Sequence, residues 1–292
     1  MFTVKQESRQ YKTYLLEDSQ AHSRVEVVPE RGGMITQWQV LGKEILYLDQ
    51  ERLTHPDLTV RGGIPILFPI CGNLPGDSYT HNGKTYTLKQ HGFARNLPWR
   101  VVDQSTDNGA FLTVELTSNE ITQALYPFAF QVQLTYDLRG NRLTIHQKVR
   151  NHSSEPMPFA LGFHPYFSVP DQAKAQLHIQ IPSTILWDHQ NRTSQVFTGF
   201  DFQQPEIDLA FRPLDSQTAT VTQEDGMLTL EYDTCFTTLV FWTVAGKDFY
   251  CLEPWTAPRY ALTQGDDLIQ LPPGATWSAW IRLTRRSASP AI

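Results

Sequence analysis

Cysteine is scarce: Cys71, Cys235 and Cys251 are the three in 292 residues. Their odd number, wide spacing and lack of a CxxC pair give neither a disulfide framework nor a zinc ribbon. Positive charge is also short, with 24 Lys and Arg against 30 Asp and Glu, a net charge of -6 and a pI of about 5.8. The only tight basic pair is Arg285-Arg286, so a nucleic-acid partner is not expected. No basic amphipathic helix points to a membrane surface, and no apolar run approaches the ~20 residues of a membrane-spanning helix. The opening MFTVKQESRQYKTYLLED mixes charged and apolar residues too closely for a signal peptide. A soluble, cytoplasmic protein is expected. A nucleotide-binding glycine loop and metal-ligand spacings are missing as well, so we expect no cofactor and no metal.

Aromatic residues are plentiful, with 7 Trp, 11 Tyr and 16 Phe; they favour strands and can stack on the apolar faces of sugar rings. The dominant signal is alternation with period two. FQVQLTYDL (130–138) sets Phe130, Val132, Leu134, Tyr136 and Leu138 on one face against Gln131, Gln133, Thr135 and Asp137 on the other, the mark of a half-buried antiparallel strand. Through RGN it runs into RLTIHQKVRN, which predicts a hairpin over 130–151. FLTVELT, QLHIQI, MLTLEY, TTLVFWTV, FYCLE and TWSAWIRL read the same way. Helix is confined to NEITQALYPF (119–128), one turn or two before Pro127 stops it. We therefore expect one large all-β domain over residues 1–292, a sandwich or barrel, with a polar tail that frays after about residue 284.

Three segments break the alternation: RGGIPILFPICGNLP with KQHGFAR some twenty positions later, LGFHPYFSVP, and FYCLEPWTAP. In KQHGFAR (89–95), His91, Phe93 and Arg95 would share a face if the chain is extended there. His164 stands among Phe163, Pro165, Tyr166 and Phe167. An aromatic pocket pulls an imidazole pKa down and a nearby carboxylate pushes it up, which suits proton transfer; a core histidine bonded to a backbone carbonyl fits the same residues. Glu253 shares its strand face with Phe249 and Cys251, an unusual place for a carboxylate without a partner or a task. Burial would raise its pKa towards that of a general base, and a salt bridge to Arg259 is the alternative. The other seven histidines, His22, His55, His81, His146, His152, His178 and His189, fall on polar faces or in turns and read as solvated.

Taken in order, RGGIPILFPICGNLP, GKTYTLKQHGFARNLPW, LGFHPYF and CLEP resemble the aldose 1-epimerase (galactose mutarotase-like) family, over about Val27 to Arg282. The resemblance implies a large antiparallel β-supersandwich that interconverts the anomers of a sugar without a cofactor. It makes His164 the general acid, Glu253 the general base and His91 a hydrogen-bonding group near the ring oxygen. Arg61 and Arg95, in RGGIP and HGFAR, are similar to the hexose-6-phosphate branch, where both lie near the phosphate; arginine forks suit that ligand. KTYTLKQHGF and EPWTAP also resemble the free-aldose branch, and PWTAPRYALTQGDDLIQLPPG is long for the phosphate branch, so a sugar or a sugar phosphate fits. Asp208, in PEIDLAF, matches more loosely a sugar-binding aspartate. Two other readings fit the same residues: a non-catalytic carbohydrate-binding protein on the same fold, and a metal enzyme using His91, His164 and Glu253.

Overall fold

The alternation over 130–138 folds as the strand Phe130–Arg139, with Phe130, Val132, Leu134, Tyr136 and Leu138 all buried. It pairs along its whole length with Arg142–Asn151, from Phe130↔Asn151 to Arg139↔Arg142. The structure, a computed structural model, describes residues 1–288. These two strands lie within an eight-stranded sheet whose order runs His178–Gln180, Thr218–Gln223, Gly226–Tyr232, Thr276–Ser287, Arg142–Asn151, Phe130–Arg139, Ala110–Thr117 and Arg100–Ser105. We call it the back sheet.

A second eight-stranded sheet, the front sheet, carries Thr193–Val196, Ile185–Asp188, Glu206–Phe211, Thr238–Val244, Phe249–Trp255, Gly162–Phe163 and Ile66–Leu67 in that order, with Tyr166–Ser168 also on Phe249–Trp255. A five-stranded antiparallel sheet over Phe2–Glu44 completes the large elements. Nearly every pairing is antiparallel, as the alternation requires, and the all-β sandwich expectation holds. Helix stays short: Glu120–Leu125 starts on an Asn119 capping box with Thr122 and ends before Pro127. No helix among the described residues is long and apolar enough to cross a membrane.

The tail differs from its expectation. The last strand continues to Ser287, paired with Gly226, and Arg285 is buried against Asp225 at 2.7 Å. A charge partner and a sheet neighbour hold residues that look like a polar tail in sequence; residues 289–292 lie outside the described part.

The main core collects the inward faces of all three large sheets. Under the front sheet sits an aromatic cluster centred on Phe68, whose ring meets Phe93, Tyr126, Phe130 and Phe159 at 5.1–6.1 Å. Each such side chain contributes about 1.5–3 kcal/mol by burial. Phe68 and Phe93 flank the segments that carry His91 and Arg95, so this cluster fixes the floor of the cleft described next.

Candidate active site

Successive residues of a strand point to opposite faces. In the front sheet Phe211, Leu239, Phe241, Tyr250 and Leu252 enter the main core. The alternate residues Asp208, Trp242, Cys251, Glu253 and Trp255 therefore face the other way. The register matches Gly162 with Trp255 and Tyr166 with Cys251, which sets His164 opposite Glu253 between two paired segments. Their contact is 3.3 Å, His164 Nε2 to Glu253 Oε1. His164 stacks on Tyr166 at 4.7 Å and meets Trp242 edge-on at 5.5 Å. Glu253 Oε2 and His164 Nδ1 are buried without a hydrogen-bond partner among the described residues.

His91 reaches the same place from a loop. Its backbone is left-handed (φ 67°), as is that of Gly92 (φ 68°), and a 3-10 turn, Ala94–Asn96, follows. KQHGFAR is thus a tight turn, not an extended stretch: Phe93 drops into the core while His91 and Arg95 line the cleft. The turn is tied to the 71–74 segment, since His91 N donates to Gly72 O at 2.6 Å and Gly72 N donates to His91 Nδ1 at 3.0 Å. A ring nitrogen that accepts carries no proton, so His91 is the Nε2–H tautomer, a neutral donor. Its ring lies 5.5 Å from that of His164.

The cleft measures about 240 Å³ and is lined by Arg61, His91, Arg95, His164, Tyr166, Asp208, Trp242, Glu253, Trp255 and Arg259 among others. That is below the ~300–1,000 Å³ of pockets for drug-sized ligands and on the scale of one monosaccharide. All six residues singled out in the sequence meet here. Arg61 is exposed and makes no ion pair among the described residues; Arg95 is half-buried, with NH2 donating to Gln90 O at 2.9 Å and no carboxylate partner. Arg259 pairs with Asp208, not with Glu253.

Electrostatics follow from burial. Loss of water raises the Glu253 pKa well above the usual carboxylate range, and Asp208 adds to the rise. Burial, then Arg95, lowers His164 to about 3. His91 is lowered well below the ordinary imidazole value, by burial first and then by Arg95. Both directions disfavour a buried ion pair, so His164 and Glu253 rest as neutral imidazole and carboxylic acid sharing one proton. Donor atoms of His164, Cys251 and Glu253 lie within 4.8 Å of one another, a different trio from the His91 set considered above. The three nearby guanidinium groups oppose a divalent cation at that point.

Trp242 and Trp255 were not singled out in the sequence, and Arg259 stood there only as an alternative partner for Glu253. Both tryptophans sit in strands where an aromatic reads as core, and only the register shows which face they take. Two histidines read as solvated are not so: His81 bonds Glu155 at 3.2 Å, and His189 has a buried Nδ1 and a pKa lowered to about 4, by burial first and then by Arg259.

Residues 13–284 match the model of a family described as aldose 1-epimerase. The Slr1438 protein of Synechocystis sp. PCC 6803 has a similar solved structure, 42% identical with a TM-score of 0.91, covering 99% of this chain and 100% of that one. A galactose mutarotase-like protein from Clostridium acetobutylicum superposes with a TM-score of 0.85 over 98% and 99% of the two chains; at 20% identity it bears on the fold alone. A Salmonella typhimurium protein named "Putative glucose-6-phosphate 1-epimerase" is 31% identical over 50% of this chain and 46% of its own length. The chain belongs to the aldose 1-epimerase family and is a sugar epimerase, an isomerase of the galactose mutarotase-like fold.

Proposed function

We propose that the protein interconverts the α and β anomers of a hexose 6-phosphate by opening and reclosing the ring. Arg61 and Arg95 carry the substrate reading. Both line the cleft, and neither has a carboxylate partner among the described residues. Two free guanidinium groups beside a monosaccharide-sized cleft leave uncompensated positive charge that a phosphate dianion would neutralise through charge-assisted hydrogen bonds.

The chemistry rests on the 3.3 Å His164–Glu253 contact. One proton crossing it converts the resting neutral pair into carboxylate and imidazolium. The Glu253 carboxylate takes the proton from the C1 hydroxyl while the C1–O5 bond breaks and His164 protonates O5. The open aldehyde turns about C1–C2. O5 then attacks the other face of C1 and returns its proton to His164, while O1 recovers one from Glu253. Nothing is oxidised or reduced, and the pair regains its single proton. His91, with Nε2–H free to donate, holds an oxygen of the ring end in place. Each proton transfer is worth about 10²–10⁴-fold, and confining the aldehyde beside the pair adds a positioning gain.

Kinetics of Arg61→Met and Arg95→Met test the substrate reading. KM for glucose 6-phosphate should rise about 10–100-fold in each, the worth of one charge-assisted bond, with free glucose affected less than threefold. Equal effects on both sugars would remove the phosphate from the account and leave a free hexose as substrate.

A further inference from the structure

Arg259 lies one residue beyond FYCLEPWTAP and was given no part in the site by the sequence, yet it is firmly held in the cleft. Its stem packs on the Gly72 backbone so closely that a Cβ there would lie 2.3 Å from Arg259 Cγ. The guanidinium lies over the Trp255 ring at 5.9 Å, and NH2 donates to Asp208 Oδ2. Arg259 Nε is buried without a hydrogen-bond partner among the described residues. Among the described residues, Arg259 NH1 and Asp208 Oδ1 have no hydrogen-bond partner either, and both side chains line the cleft.

We propose that Arg259 is a specificity-determining residue that contacts the sugar, forming with Asp208 a fixed donor–acceptor pair that reads two neighbouring ring hydroxyls. A hydroxyl both donates and accepts. One would donate to Asp208 Oδ1 and its neighbour would accept from Arg259. The existing ion pair sets the spacing of donor and acceptor before the sugar arrives, and the Gly72 and Trp255 contacts hold the side chain in place, so little ordering remains to be done on binding. A sugar lacking either hydroxyl leaves Arg259 or Asp208 with a donor or acceptor atom unmatched inside the cleft, which is what makes polar recognition discriminating. Among the described residues Arg61 and Arg95, the proposed phosphate partners, have no carboxylate partner, whereas Arg259 comes already paired with an acceptor; that difference assigns it to hydroxyls.

This inference rests on the cleft being the sugar site of the proposed function. Binding is therefore followed by the fluorescence of Trp242 and Trp255, which needs no turnover, alongside anomer exchange. The probes are glucose 6-phosphate, glucose, and the 2-, 3- and 4-deoxy analogues of each. Wild-type protein should bind analogues at two adjacent positions about 10–100-fold more weakly than the parent sugar. In Arg259→Met the parent sugar should weaken by a similar factor, and the penalty at one of those positions should disappear. Arg259→Lys keeps the charge without the fork and should fall between; it carries the same comparison if the methionine variant does not fold. Equal weakening of every sugar, or an unchanged deoxy pattern, overturns the proposal. Sugar binding with the predicted deoxy pattern but no exchange of any hexose would instead overturn the proposed function and keep this one.

Discussion

Replacing Glu253 by Gln changes one proton-accepting atom and almost no volume at a site that is 2% exposed. Glu253 Oε2 has no hydrogen-bond partner among the described residues, so the amide breaks no hydrogen bond there. The loss should thus appear in chemistry: one general acid–base component is worth about 10²–10⁴-fold, or about 2.7–5.4 kcal/mol of transition-state stabilisation. Stability should move the other way. Burial raises the folded pKa of Glu253, so the acid form favours the fold below the unfolded carboxyl pKa, and that contribution is lost as pH rises through the folded pKa. Gln has no such loss, and the variant should melt no lower than wild type at pH 8, with an advantage that grows with pH. Anomer exchange measured by NMR gives the rate, and a thermal melt across pH gives the stability. A variant that exchanges within threefold of wild type would refute Glu253 as the base; one that is inactive but melts well below wild type would refute the stability reasoning.

Two more predictions follow from the same geometry. Gly72→Ala puts a Cβ against Arg259 at a backbone φ of 69° and disturbs the N–H that fixes the His91 tautomer; it should cost about 1–3 kcal/mol in a denaturant melt and slow exchange, and a melt and rate equal to wild type would contradict the role given to that turn. His164 is lowered to about 3 in the folded protein from an ordinary value near 6.5, so its contribution is present above pH 6.5 and lost as pH falls towards 3; His164→Gln should flatten that part of the acid stability profile, and an unchanged profile would contradict the burial argument.

The sheets were legible in sequence wherever one face is wet. The strand Phe130–Arg139 alternates because Gln131, Gln133 and Thr135 are only half-buried while their neighbours fill the core. Ile66–Leu67 and Gly162–Phe163 are buried on both faces, so their segments show apolar runs without a period and no strand could be read from them. Within the site, His164 and Glu253 were visible as polar residues in apolar company. Their pairing was not, because it depends on the register of two short segments against Phe249–Trp255. Arg259 stood in sequence only as an alternative salt-bridge partner for Glu253, six residues away; only the fold shows that Asp208, on a separate strand of the sheet, takes it instead. KQHGFAR named His91 and Arg95, which line the cleft, but left its backbone open, since the left-handed His91 that lets Phe93 turn into the core leaves no trace in composition.

The most direct test of the account is anomer exchange by wild-type protein on glucose 6-phosphate and glucose under identical conditions. Exchange should be faster for the phosphorylated sugar, with the preference reversed or levelled when Arg61 and Arg95 are both replaced by Met. Faster exchange of free glucose would contradict the phosphate reading, and no acceleration of either would contradict the ring-opening chemistry assigned to His164 and Glu253.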